Sequence, residues 1–262
     1  MSEQELSGGN LGGAVRVANT VRRAAGHWTP AVHALLEHLA KRGFVECPRV
    51  LGFDERGREI LTYLPGETVG SARPWPSWTR TRQTLLQTAR LIRRYHDAVA
   101  DFVQPAGTRW RLTSAVAQPG EIICHNDIAP YNIVHGPTGV TGMFDWDVAG
   151  PGAPEFDLAF SAWQFVPLYD DEQCRELGWS NVSDRPDRLR EFVDSYGLER
   201  RQGFVELIAT RMQASIDRIR QGADDGDPAF QQLITGGHLA PVRAARERLL
   251  RDATLLQRAI SQ

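Results

Sequence analysis

Three cysteines, Cys47, Cys124 and Cys174, are all that the 262 residues contain; they are odd in number, far apart and form no CxxC pair. Neither a disulfide framework nor a thiolate zinc site is expected from that spacing. Lysine is scarcer still: Lys41 is the only one among 30 basic residues, so a role that commonly falls to lysine must be filled otherwise. No apolar run approaches the roughly 18 residues that would span a bilayer. The opening MSEQELSGGN has no basic segment followed by an apolar one, so a cytoplasmic protein with no membrane partner is expected. A net charge of -2 supplies no global attraction to nucleic acid, and none is expected as a partner. What is present, 42% hydrophobic and 24% charged residues, is ordinary for a compact globular chain.

The first third reads as short strands around one helix. Ala14 to Ala18 and Thr20 to Ala24 are small β-prone runs on either side of Asn19, a turn-tolerant residue, which predicts a hairpin. Thr29-Pro30 then opens a helix in which Val32, Leu35, Leu36 and Leu39 recur at helical spacing up to Gly43. Pro48 to Phe53 and Glu59 to Leu64, joined by a turn containing Gly57, predict a second hairpin. The expected order is ββ, α, ββ, with a boundary at Pro65-Gly66 that divides the chain into 1–66 and 67–262. Beyond it helical patterns dominate. One face carries Leu85, Leu86, Ala89, Ile92, His96 and Val99, and a second helical stretch runs from Arg188, with breaks at Gly197, at 222–228 and at Gly236-Gly237. Between them Glu121 to Cys124, Ile133 to His135 and Val140 to Phe144 read as short strands.

Those strands frame the chemistry. His125-x-Asp127-x-x-x-x-Asn132 follows one apolar run, and Asp145 ends the next. One carboxylate near an acceptor hydroxyl can take its proton, while an amide oxygen and a second carboxylate are hard oxygen ligands for Mg²⁺. The spacing is that of a kinase catalytic loop and its metal-binding aspartate.

The segment resembles the aminoglycoside phosphotransferase and choline kinase group, in which a loop of HGDxxxxN type precedes a strand ending in IDW. Here these stand as His125-Asn126-Asp127 with Asn132, and as Phe144-Asp145-Trp146, so that Asn126 replaces the usual glycine. The likeness continues through Ala149 to Gly152 and the Asp157-Leu158-Ala159 helix start. The resemblance implies an α+β, protein-kinase-like two-lobed fold with a small β-rich N-lobe and a larger mainly helical C-lobe. It implies ATP-dependent transfer to a hydroxyl of a small-molecule acceptor, with ATP and Mg²⁺ as cofactors. Asp127 becomes the base, Asn132 and Asp145 the metal ligands and His125 an organiser of the loop. Asp147 reads as a supporting carboxylate or a direct ligand, and Asp157 as a helix cap.

On the nucleotide side Gly8, Gly9, Gly12 and Gly13 lie ahead of the first hairpin, where backbone N–H groups could approach phosphates closely. The strand that should carry a lysine to the phosphates holds Arg22 and Arg23 instead; alternation sends them to opposite faces, and Arg22 is favoured, with Glu37 as helix partner. Tyr63 and Leu64 sit at the hinge where family members bind adenine through backbone groups. On the acceptor side, Asp170 to Glu172 and Asp224 to Asp227 read as surface runs or as pocket carboxylates, and Trp163, Phe165 and Tyr169 as core or pocket wall. The missing lysine also motivates a second reading, a nucleotide-binding regulatory protein with little catalysis.

Overall fold

The predicted N-terminal strands pair as read, and one more joins them. In the computed structural model, which describes residues 2–6 and 13–262, β1 (Gln4–Glu5), β2 (Val15–Val17), β3 (Thr20–Arg23), β4 (Val50–Phe53) and β5 (Glu59–Thr62) form an antiparallel sheet in the order β1-β2-β3-β5-β4. Helix α1 (Thr29–Lys41) carries the chain from β3 to the far edge, so β5 returns to lie between β3 and β4. Its stripe of Val32, Leu35, Leu36 and Leu39 is buried. Thr29 does not cap α1 with its side chain: its hydroxyl accepts the Gly26 N–H at 2.9 Å.

Register is what matters for the site. Arg23 stands directly opposite Glu59 and Arg22 opposite Ile60, which puts Arg23 and Glu59 on one face of the sheet and Arg22 on the other.

The chain packs as two units, Met1–Ser71 with Arg93–Asp157, and Ala72–Ile92 with Leu158–Gln262. In the first, β6 (Ile122–Cys124) pairs with β9 (Gly150–Gly152), a strand the sequence did not suggest, and β7 (Ile133–Gly136) pairs with β8 (Gly139–Met143). The segment after the hinge is fastened to β7 by two bonds of 2.8 Å between the backbones of Glu67 and His135. Gly66 makes this approach possible: a Cβ there would sit 2.5 Å from Val134 and 2.8 Å from the His135 carbonyl.

In the second unit α5 (Arg185–Tyr196), α6 (Phe204–Asp224), α7 (Pro228–Thr235) and α8 (Leu239–Ile260) follow the predicted breaks. Gly197 closes α5 in the left-handed conformation at φ 80°. Gly222 is not a break: it lies inside α6, and a Cβ there would meet the Phe230 ring of α7 at 2.4 Å. Helix α2 (Arg82–Val99) buries Leu85, Ala89, Ile92, His96 and Val99, as its pattern implied. Among the described residues no helix is long and apolar enough to cross a membrane.

Candidate active site

The loop from His125 to Asn132 is built on buried polar contacts. Asp157, in the first turn of α3 (Pro154–Phe165), is fully buried and accepts from the backbone N–H of His125 at 2.9 Å and of Asn126 at 2.8 Å. His96 of α2 lies 3.3 Å from the same carboxylate. Asp157 is therefore a loop anchor rather than the helix cap expected from its position. Burial pushes its pKa up, but the hydrogen bonds to His96 and from the His125 backbone N–H pull it below the ordinary value.

His125 is held neutral by burial. Its Nε2–H donates to the Phe144 carbonyl at 3.1 Å, tying the loop to the end of β8. The ring packs 4.6 Å from that of Trp146, whose Nε1 donates to the Tyr95 hydroxyl, and Tyr95 in turn donates to the Ile123 carbonyl. Tyr95 and His96 are site-building residues that the motif alone did not reveal; only the helical face around His96 hinted at them.

Asn126 adopts φ 66°, the left-handed region that glycine enters freely and asparagine tolerates. The replacement of the family's glycine thus keeps the loop's path, and the added amide donates to the Val148 carbonyl at 3.2 Å. Beyond it, Asp127 receives Tyr131 Oη on Oδ1 and Asn132 Nδ2 on Oδ2, both at 2.9 Å. The Asn132 backbone carbonyl accepts from Phe144 N at 3.0 Å, which fixes Asn132 beside the residue preceding Asp145. Asp145 itself holds φ 71°, a conformation costing a non-glycine residue about 1 kcal/mol.

Could these residues hold a divalent cation? The Asn132 amide NH₂ is spent on Asp127, which leaves its carbonyl oxygen as a ligand. Asp145 uses Oδ1 for Arg23, and its carboxylate carries a second oxygen. One amide oxygen and one carboxylate suit a cation that completes its shell with phosphates and water, as Mg²⁺ commonly does, so the residues fit. Among the described residues no cluster of three or more His, Cys, Asp or Glu side chains is arranged as a closed metal site.

The arginine facing this pair is Arg23. Its Nε reaches Glu59 at 2.7 Å, Nη1 reaches Asp145 at 3.0 Å and Nη2 reaches Asp147 at 2.5 Å. Burial works against its charge, and Asp147, Asp145 and Glu59 together override that, so its pKa lies above the usual arginine value. Arg22, favoured from alternation alone, turns to Asp54 at 3.6 Å on the other face. Glu37 is exposed, and α1 supplies His33 in its stead, 2.9 Å from the second oxygen of Glu59. Asp147 is half-buried; Arg111 stands 3.7 Å from it and stacks 4.5 Å from the Trp28 ring centre. Burial and the Asp145 charge raise the Asp147 pKa against the pull of Arg23.

Tyr63 and Leu64 continue β5, with Tyr63 N donating to the Asn19 carbonyl at 2.9 Å and Arg16 stacked 3.8 Å over the Tyr63 ring. Of the glycines expected near the phosphates only Gly13 is described, exposed and with open space around it; Gly8, Gly9 and Gly12 fall outside the described residues. The acidic runs are engaged locally. Asp170 caps α4 (Asp171–Glu176), Asp171 pairs with Arg185 and Arg248, and Asp227 caps α7. Trp163, Phe165 and Tyr169 are buried in their unit's core.

The phosphotransferase enzyme family model matches residues 15–118 and 78–192 of the chain. The trifolitoxin immunity protein of Rhizobium leguminosarum bv. trifolii is 37% identical over 211 residues, 78% of this chain and 78% of that protein. A choline/ethanolamine kinase family protein from Mesorhizobium loti superposes with TM-score 0.60 at 16% identity, covering 96% of this chain and 92% of the other. An amicoumacin kinase bound to AMP-PNP, Ca²⁺ and Ami gives TM-score 0.62 at 10% identity over 91% and 85%. The two structures establish the fold, a protein-kinase-like one with a small antiparallel sheet and a larger helical part. With the family model matched over residues 15–118 and 78–192, and a relative 37% identical over 78% of the chain, the chain belongs to the phosphotransferase enzyme family and acts as an ATP-dependent small-molecule phosphotransferase.

Proposed function

We propose that the chain moves the γ-phosphate of ATP, taken with Mg²⁺, to a hydroxyl of an antibiotic-like small molecule, with Asp127 as base. One observation carries the reading: both Asp127 oxygens are fixed by donors from its own loop at 2.9 Å, while the side chain remains partly open to solvent. A carboxylate presented in this way can take the acceptor's proton, a contribution of about 10²- to 10⁴-fold. The acceptor oxygen bonds to the γ-phosphorus, its proton passes to Asp127, and the bond to the β,γ-bridging oxygen breaks to release ADP. Asn132 and Asp145 would hold a cation whose charge offsets that of the triphosphate.

Arg23 would donate to the α- or β-phosphate, which fills the place of the missing lysine and leaves the regulatory reading without its motive. Its clamp by Glu59, backed by His33, keeps the guanidinium on the site side of the sheet. Backbone groups at Tyr63 and Leu64 would take the adenine, and Gly8, Gly9, Gly12 and Gly13 would cover the phosphates. The AMP-PNP and Ca²⁺ bound by the amicoumacin kinase support a nucleotide and a divalent cation here. The name of the 37% identical relative, an immunity protein, supports a toxin or antibiotic as the acceptor's class.

A panel of hydroxyl-bearing antibiotics, amino alcohols and sugar-like metabolites, assayed for acceptor-dependent ADP release with ATP and Mg²⁺, tests the proposal. A phosphorylated antibiotic-like product is expected. Turnover confined to amino alcohols or sugars would overturn the acceptor class.

A further inference from the structure

The Tyr131 hydroxyl donates to Asp127 Oδ1 at 2.9 Å. A hydroxyl at that distance on a carboxylate oxygen is the arrangement an acceptor must adopt before its proton is taken. Tyr131 sits in the 3-10 turn Pro130–Asn132, immediately before Asn132, so the loop that carries the base also delivers this phenol. Both Asp127 and Tyr131 are partly exposed, which gives water access to the carboxylate. Neither the motif nor the family resemblance gives position 131 a part in the reaction.

Resting on the assignment of Asp127 as base, we infer that Tyr131 is a placeholder hydroxyl, a positioning residue that occupies the base between turnovers and restrains hydrolysis of ATP by water. In the restrained reaction a water oxygen bonds to the γ-phosphorus and its proton goes to Asp127. The bond to the β,γ-bridging oxygen breaks with its electron pair leaving on ADP, and Asp127 later returns the proton to solvent. Water that donates to Oδ1 must compete with the phenol for the same oxygen, and it has few binding contacts to offset that competition. A larger acceptor does, through binding interactions remote from its reacting hydroxyl.

ADP release by the full chain with ATP and Mg²⁺ but no acceptor tests this. Tyr131→Phe should raise the rate by about tenfold, the weight of one hydrogen bond to a charged group. ATP affinity by calorimetry should stay at the wild-type value and the melting temperature should fall by no more than about a few degrees, the loss of one hydrogen bond, whereas general damage to the loop would lower the rate instead. Asp127→Asn should suppress hydrolysis in both backgrounds. An unchanged or reduced rate in Tyr131→Phe, with Asp127→Asn inactive, overturns the placeholder and leaves the base in place. Undiminished hydrolysis in Asp127→Asn overturns the base assignment itself. Phosphate found on Tyr131 by mass spectrometry after incubation with ATP also overturns the placeholder, because the phenol would then be an acceptor.

Discussion

Arg22 and Arg23 are adjacent, equally charged and indistinguishable by composition, yet one meets three carboxylates of the site and the other a turn aspartate. The difference comes from a single register, Arg23 opposite Glu59, across a pairing of strands 36 residues apart. If Arg23 serves the phosphates, Arg23→Ala should weaken ATP binding roughly thirtyfold, the worth of a charge-assisted hydrogen bond of about 2 kcal/mol. Adenosine, which has no phosphates, should bind to it almost as before. Arg22→Ala should keep the wild-type preference for ATP over adenosine in the same calorimetric titrations, and a reversed order between the two variants would sink the assignment. Asp127→Ala belongs beside them. Turnover of an identified acceptor should fall by about 10²- to 10⁴-fold with ATP affinity little changed, since in the proposed role Asp127 would touch the acceptor and not the nucleotide; near wild-type kcat would remove Asp127 from the reaction.

Among elements, periodicity or a turn signal exposed α1, α2 and the two N-terminal hairpins, the helices through a buried apolar stripe and the hairpins through the residues at their turns. Strands β1 and β9 were not legible: two residues, Gln4–Glu5, and the run Gly150–Gly152 are too short or too poor in side chains to show alternation, and both exist only because a distant partner strand holds them. The catalytic loop was legible in outline and not in detail. Its spacing named Asp127 and Asn132, but Asn126 looked like a departure from the family until its φ of 66° showed an asparagine doing what the glycine does. That equivalence can be tested. Asn126→Gly should lose the side-chain bond to Val148 at a cost of about 1 kcal/mol, whereas Asn126→Ala should lose the same bond and meet the left-handed backbone penalty, about 2 kcal/mol in all. Melting temperatures that place alanine at or above glycine would mean that the conformation is not what position 126 selects.

Across the whole molecule, the recognisable sequence is concentrated between Ile122 and Ala159, while the groups that hold it in place are scattered: His96 on α2, Tyr95 beside it, Asp157 on α3 and Glu59 in the N-terminal sheet. A motif is local and can be read locally, but a buried carboxylate anchoring backbone N–H groups some 30 residues away carries no sequence signal beyond being an aspartate. Asp157 makes this dependence measurable. It is fully buried beside His96 and His125, and its folded pKa lies below the ordinary aspartate value. The unfolded chain therefore binds its proton first as pH falls, so the stability this group contributes is complete above the unfolded value of about 4 and is lost as pH drops through the folded one. Melting temperature should not vary on account of Asp157 above about pH 5 and should decline below about pH 4. Asp157→Asn, unable to accept from both backbone N–H groups and His96 at once, should be less stable near neutral pH by about 2 kcal/mol, and its deficit relative to the wild type should shrink in acid as the wild-type carboxylate becomes protonated. Parallel melting curves for the two proteins from neutral pH down to about pH 3 would show that the loop is anchored by something other than this charge.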